Sequence, residues 1–428
     1  SVSEDGCGAF HTTLVRNEEG IEKPDIVKTN GEYIYYAYFN SNSDTNRNKV
    51  YIYRTQDEKS EFVSVIDNLA PDIENEYSDF YEISDLLIYK NRLVLFMNVS
   101  NSMSAYKYKR DFNSTVIKIY DISDKANPSL VTEFKQSGER FGAQMIDNIL
   151  YVSTNYNVET NDKNYTIPYI EQNGEVTYAS SKNIVCFENT KTAQYAVIST
   201  IDVEKGVQAE SLKAVLGGSA KIHCTKDYMY INEYINGERY GEPERDVTSA
   251  MKLNLKKGKF TYASEDEAKE YSNNTIDIGQ GDMYDSFLYP FGEYYISLGH
   301  DANDFKDEII LFDKNMEELD SIIFENEGVF ANTNLPCFDE STNTITLPAN
   351  YYDEGIEDYH YQGAVVLEID NNKIEIKDRI KDSTHIINID YENYYYCSQI
   401  IYNDCIYSIY INDNAPDNEK LKVFSYKY

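Results

Sequence analysis

One pattern recurs along this chain: a turn residue, then a short run dense in Tyr, Ile, Val and Leu. It reads NGEYIYYAYF at 30–39, KNRLVLFMNV at 90–99, DNILYVSTNY at 147–156 and KDYMYINEYI at 226–235. It returns as FGEYYISLGH at 291–300, STNTITLPAN at 341–350 and YNDCIYSIYI at 402–411. The copies lie roughly 50 to 80 residues apart, a spacing that marks stacked units unable to bury their apolar faces alone. A run such as DIVKT (25–29) or AKIHC (220–224) precedes a copy and predicts a hairpin with it. A further strand follows and often ends at Asp: VIKIYD (116–121), AVISTID (196–202), EIILFD (308–313) and AVVLEID (364–370). A fourth comes next, such as SLVTEF (129–134), KFTYA (259–263) or KIEIKDRI (373–380).

Four antiparallel strands per unit, repeated around an axis, predict an all-β seven-bladed β-propeller with four-stranded blades. The irregular spacing also admits six or eight blades. The last unit is short, and AFHTTLVRN (9–17) is expected to complete it, so that N- and C-terminal strands close the ring. The whole chain, 1–428, reads as a single domain with 1–20 as an N-terminal lead.

Composition agrees. There are 41 Tyr and 18 Phe but no Trp, and Tyr, Phe, Ile and Val suit a pleated, half-buried surface. Most of these aromatics are expected to pack between blades. The net charge of −34 repels phosphate backbones and anionic lipid surfaces, which excludes nucleic acid as a partner. No run of about 18 apolar residues is present, so no membrane-spanning helix is expected. A monomer is expected. The six cysteines include no CxxC pair and have no nearby His at ligand spacing.

Helix is scarce. ASEDEAKEYS (263–272) predicts one short helix, and GVQAESLKAVL (206–216) either a helix or a strand. Two insertions stand out, ENEYSDFYEISD (74–85) and the polar stretch 159–183. Long loops on a rigid scaffold are where binding function sits. Tyr165, Tyr169 and Tyr178 in the second are therefore the candidate ligand contacts.

Catalytic motifs are missing. His11, His223, His300, His360 and His385 make no zinc spacing, and no GxSxG elbow, P-loop or GxGxxG follows a strand. Asp301, Asn303, Asp304 and Asp307 offer hard oxygen ligands of the kind calcium takes, without the EF-hand spacing. No cofactor is predicted beyond that calcium candidate. Carboxylates are too numerous to pair from sequence, and a glycosidase would need two of them about 5 to 10 Å apart.

GIEKPDIVKTNGEYIYYA (20–37) is similar to the opening signature of a family of secreted bacterial and archaeal proteins with a C-terminal β-propeller domain, distantly WD40-like. Gly20, Pro24, Asp25, Ile26, Val27, Lys28, Thr29, Gly31, Tyr33, Ile34 and Tyr35 carry the match; Asn30 replaces an Asp. STVIKIYDISDKANPSLVTEF (114–134), IPYIEQNG (167–174), YDSFLYPFGEYYISLGHD (284–301) and YQGAVVLEIDNNKIEIKDRI (361–380) resemble later segments. The resemblance implies a propeller fold, export, and a place outside the cell or anchored to its envelope. It implies no reaction. The expected function is thus an exported module presenting loops on one face to a protein, peptide or glycan. The alternative is an extracellular glycan-active hydrolase or lyase with carboxylates over the central channel.

Overall fold

The computed structural model describes residues 21–22, 24–40, 47–56, 59–71, 79–100, 113–158, 166–187, 190, 193–224, 226–236, 245–256, 259–262, 283–301, 306–315, 317–325, 327–329, 336–339, 342–352, 359–388, 395–402, 405–412 and 415–427. A two-residue strand opens the chain, β1 (Ile21–Glu22). Sheet 1 is β2 (Val27–Thr29), β3 (Tyr33–Phe39), β4 (Asn48–Gln56) and β5 (Lys59–Ile66). The core of sheet 2 is β6 (Phe80–Tyr89), β7 (Arg92–Ser100), β8 (Ser114–Asp121) and β9 (Ser129–Ser137). That of sheet 3 begins with β10 (Glu139–Ile146) and β11 (Ile149–Asn157). Three strands then depart from the meander: β12 (Tyr169–Gln172), β13 (Glu175–Tyr178) and β14 (Ile184–Cys186). Sheet 3 is completed by β15 (Gln194–Asp202) and β16 (Val207–Leu216). The second helix candidate is therefore strand β16. The first, 263–272, lies outside the described residues.

Sheet 4 is β17 (Ser219–Cys224), β18 (Tyr228–Asn236), β19 (Arg245–Lys256) and β20 (Lys259–Tyr262). Sheet 5 is β21 (Met283–Phe291), β22 (Tyr294–Asp301), β23 (Asp307–Phe312) and β24 (Glu318–Ile323). Sheet 6 holds β25 (Glu327–Gly328), β26 (Cys337–Asp339), β27 (Thr344–Tyr352), β28 (Tyr359–Asp370) and β29 (Lys373–Asn388). Sheet 7 holds β30 (Tyr395–Tyr402), β31 (Cys405–Ile411) and β32 (Leu421–Lys427). The seven recurring runs of the sequence are the second strands of these seven sheets.

Those runs are apolar on both sides, as in any sheet covered on both faces, and sheets 1, 2 and 3 each share cores with two neighbours. Along β7, Leu93, Leu95, Met97 and Val99 pack with Tyr35, Ala37 and Ile52 of sheet 1. The alternate residues Val94 and Phe96 pack with Leu150, Val152 and Val197 of sheet 3. Tyr151, Ala196 and Ile198 of sheet 3 meet Met229, Ile231 and Leu253 of sheet 4. Sheets 5 and 6 share a core of Ile296, Leu298, Ile345 and Leu347. Each large side chain removed from water this way contributes about 1.5–3 kcal/mol. Ile34, Tyr36, Tyr38 and Tyr51 of sheet 1 meet Ile409, Ile411, Leu421 and Val423 of sheet 7, so first and last sheets share a core.

Where a third strand ends at Asp121, Asp202 or Asp313, that Asp belongs to the turn that follows. Asp121 Oδ1 accepts from the Ser123 amide at 2.8 Å, Asp202 Oδ1 from the Lys205 amide at 3.1 Å, and Asp313 Oδ1 from the amides of Asn315 and Glu317. Such Asx turns fix the reversal into the fourth strand. Hydrogen bonds from the Ser123 hydroxyl and amide, then from Arg92, pull the Asp121 carboxyl down to about 2.

The stretch 9–17, expected to complete sheet 7, lies outside the described residues. Just after it the chain takes another course. β1 pairs with β10 (Ile21↔Ile146, Glu22↔Met145), on the side of β10 away from β11. Asp25 then bridges Leu86 of β6 through reciprocal backbone bonds at 3.0 and 2.8 Å. The segment 21–25 thus runs along the free edges of the first strands of sheets 3 and 2 before entering sheet 1.

Candidate binding face

The main strands of each sheet form a meander, so their connections alternate between two ends. At one end they are short, as at 90–91, 147–148 and 371–372. The other end carries the long ones, 67–79 between β5 and β6, 101–113 between β7 and β8, 158–168 between β11 and β12, and 353–358 between β27 and β28, beside the short joins at 138 and 217–218. Contacts between sheets set these long-connection ends side by side. The Asn48 side chain, at the start of β4, donates to Tyr81 O (3.1 Å) and accepts from the Ile83 amide (2.6 Å), near the start of β6. Gln194, at the start of β15, donates to Gly218 O just before β17. Lys49 reaches Asp417, in the connection between β31 and β32.

Two of the long connections are acidic. Asp67, Asp72, Glu74, Glu76 and Asp79 lie between β5 and β6, and Asp353, Glu354, Glu357 and Asp358 between β27 and β28. Lys107, Lys109 and Arg110 between β7 and β8 break the pattern.

Two of the three candidate tyrosines meet at this end. Tyr169 and Tyr178 are register partners across the β12–β13 hairpin, with ring centroids 6.2 Å apart in an edge-to-face arrangement. Tyr169 is half-buried; Tyr178 is 62% exposed. Burial first, then Tyr156, Glu171, Tyr178 and Asp79, raise the Tyr169 phenol. Tyr81 is raised by burial and by Asp79, Glu133 and Glu171. Both phenols therefore stay neutral at physiological pH. Neutral phenol rings beside carboxylates suit a cationic or hydrogen-bonding group. Tyr165 lies outside the described residues. The insertion itself is woven into two sheets: β12 extends sheet 2 beside β9, and β14 lies parallel to β16 on the rim of sheet 3. Its alternation was too short to read as strands among polar residues.

The calcium candidates are Asp301, Asn303, Asp304 and Asp307. Asn303 and Asp304 lie outside the described residues, and Asp301 is placed by its backbone alone, opposite Met283. Asp307 is buried, and its Oδ2 accepts from the Val329 amide at 2.6 Å, which ties β23 to the segment after β25. Among the described residues no three His, Cys, Asp or Glu side chains stand together as a metal-holding group.

Some polar contacts had no signal in the sequence. Gln136 of sheet 2 donates to Thr154 Oγ1 (3.0 Å) and Val197 O (3.1 Å) of sheet 3 and accepts from the Ser199 hydroxyl. Arg140 of β10 pairs with Asp85 of β6, donates to Ser84 Oγ at 3.2 Å and lies over the Phe96 ring. Burial pulls its guanidinium down to about 10. The Cys337 thiol is buried and is pushed up to about 12 by burial and then by Asp25.

Seven sheets of mainly antiparallel strands, several of them packed face to face, define a β-propeller-type protein. A family model for the beta propeller domain matches residues 13–279, and the chain belongs to that family. Among solved structures it is similar to the beta-propeller domain of the Trilobed protease from Pyrococcus furiosus, at 9% identity over 94% of each chain with a TM-score of 0.39. A provisional hydrolase from Bacteroides ovatus is similar at 9% identity, TM-score 0.26, over 79% of this chain and 81% of that one. Puromycin hydrolase follows at 6% identity, TM-score 0.19, over 84% of this chain and 60% of that one. No curated protein matches the chain.

Proposed function

We propose that this chain is an exported binding module, one seven-bladed ring over 1–428, that takes a protein, peptide or glycan partner at its long-connection end outside the cell or on its envelope. The Tyr169–Tyr178 pair carries the reading: a rigid hairpin holds one ring half-buried and the other open to solvent at that end. A shared core between sheets 1 and 7 supports a ring whose first and last blades meet. The axis offers less. In a propeller the first strands surround the channel, and the free edges of two of them are covered by the chain's own segment 21–25. A carboxylate site over the channel would have to form around that segment.

The test is a glycan array and a displayed peptide library, screened with the intact chain and with Tyr178→Ala and Tyr169→Ala. Hits retained by both variants would remove the hairpin from the binding face. Hits lost in Tyr178→Ala, whose side chain is too exposed to matter for folding, would support it.

A further inference from the structure

The Tyr169–Tyr178 hairpin is one flank of a longer row across sheet 2. Tyr81 of β6 stands opposite Val99 of β7, Val99 opposite Ser114 of β8, and Ser114 opposite Ser137 of β9. The Ser137 hydroxyl carries the row on to β12: it donates to Tyr169 O at 3.2 Å and accepts from the Tyr169 amide at 3.0 Å. Register partners share a face of a sheet. Tyr81 and Tyr169 are therefore the two ends of one row, with two serines between them. Both ends are held by polar side chains, Tyr169 by Ser137 and Tyr81 O by the Asn48 amide at 3.1 Å.

Four strand spacings, about 19 Å, separate the two backbones. Even so, both phenols are raised by burial first, with Asp79 and Glu171 among the groups that follow. Asp79 adjoins Tyr81 and Glu171 adjoins Tyr169, so each phenol feels the carboxylate at the far end. Such a field falls off with distance, so these side chains lean inward over the serines. The charge between them is unbalanced. Lys118 pairs with Glu133 at 2.9 Å. Asp79 and Glu171 are half-buried and have no ion-pair or hydrogen-bond partner among the described residues, Lys135 opposite Glu171 included. A carboxylate withdrawn from water without a partner is costly, and an incoming cation removes that cost.

Resting on the binding role proposed for this end, we propose that a basic segment of a partner protein lies across this row, its arginine side chains set against the Tyr81 and Tyr169 rings and paired with Asp79 and Glu171. A guanidinium stacks on an aromatic face, pairs bidentately with a carboxylate and is more weakly hydrated than an ammonium. The net charge of −34 draws such a partner in. Salt screens that long-range pull, with a Debye length of about 8 Å at physiological ionic strength, and leaves the contacts in the row. A neutral glycan would leave both carboxylates unpaired.

Isothermal titration of the full chain with an acetylated, amidated triarginine peptide at physiological salt tests it. Asp79→Asn with Glu171→Gln is expected to weaken binding at least tenfold. Asp147→Asn with Glu293→Gln removes the same charge from exposed turns at the opposite end and is expected to change binding less than twofold. Tyr169→Phe should bind like the parent and Tyr169→Leu several-fold more weakly, a split that charge alone does not produce. Asp79 and Glu171 have no partner to lose, so their double variant should melt no lower than the parent, and its weaker binding then reads as a lost contact. Equal losses in the two charge variants overturn the proposal, as does a parent that does not bind the peptide. Library hits that need Tyr178 but ignore Asp79 and Glu171, glycans included, overturn it and leave the binding role of the hairpin in place. Hits retained by every variant remove both.

Discussion

Lys49 donates to both carboxylate oxygens of Asp417, at 2.8 and 2.9 Å, and so joins the second residue of β4 to the connection between the last two strands of the chain. The Tyr51 hydroxyl donates to the same carboxylate at 2.8 Å, and the Leu421 amide donates to the Tyr53 hydroxyl at 3.3 Å. The first and last sheets thus meet through side chains: an apolar core with a polar clasp at the long-connection end.

The clasp makes stability depend on pH. Burial alone would raise the Asp417 carboxyl, but the hydrogen bonds from Lys49 and Tyr51 outweigh it and hold the group below its usual value. An unfolded Asp titrates near about 3.9. The contribution is therefore complete above that pH and is lost as pH falls towards the lower folded value. Asp417 is about a third exposed, so after screening the clasp contributes on the order of 1 kcal/mol. Asp417→Asn should lower the denaturation midpoint at pH 7 and flatten the acid limb; equal acid limbs for variant and parent would count against it.

Gln136→Leu should cost more than its size suggests. The side chain is fully buried between sheets 2 and 3, and its removal strands the Ser199 hydroxyl and takes the donor from Val197 O, while the Thr154 hydroxyl still donates to Ser137 O. Each stranded group costs about 1–3 kcal/mol, so a loss of about 2–4 kcal/mol is expected in urea titrations.

Arg140 and Asp85 sit at bulges in the first strands of neighbouring sheets. Arg140→Met alone leaves a largely buried carboxylate unpaired and should cost about 3–5 kcal/mol. Adding Asp85→Leu should restore most of that loss. A double variant no more stable than the single one would mean that the pair is not the main contact there.

Two glycines separate strain from space. Gly138 (φ 94°) and Gly174 (φ 90°) share a left-handed backbone, but a Cβ on Gly138 would meet Asn155 O at 2.5 Å, while one on Gly174 meets nothing within 4 Å. Gly174→Ala should cost about 1 kcal/mol, the backbone penalty alone. Gly138→Ala should cost clearly more, read as the difference in thermal midpoint.

Much of the architecture was legible because turns and strands are local. The NGEYIYYAYF-type runs became second strands, and the Asp residues closing VIKIYD, AVISTID and EIILFD became turn caps. The 159–183 insertion was legible as an insertion but not as strands: β12 and β14 exist because β9 and β16 offer free edges, and those edges lie far from them in sequence. Likewise nothing near Asn48, Gln136 or Asp417 announces a partner in another sheet.

The sequence by itself determined the class of element, the turn chemistry and the apolar character of each second strand, since all three depend on neighbours a few residues apart. Only the tertiary structure decided which polar side chains bridge sheets, that Ile21–Asp25 runs along the inner edges of sheets 3 and 2, and that Tyr169 and Tyr178 face each other at an open rim. Those outcomes depend on which sheet faces come into contact, and a composition this rich in Tyr, Asp and Glu offers too many equivalent partners for sequence alone to choose among them.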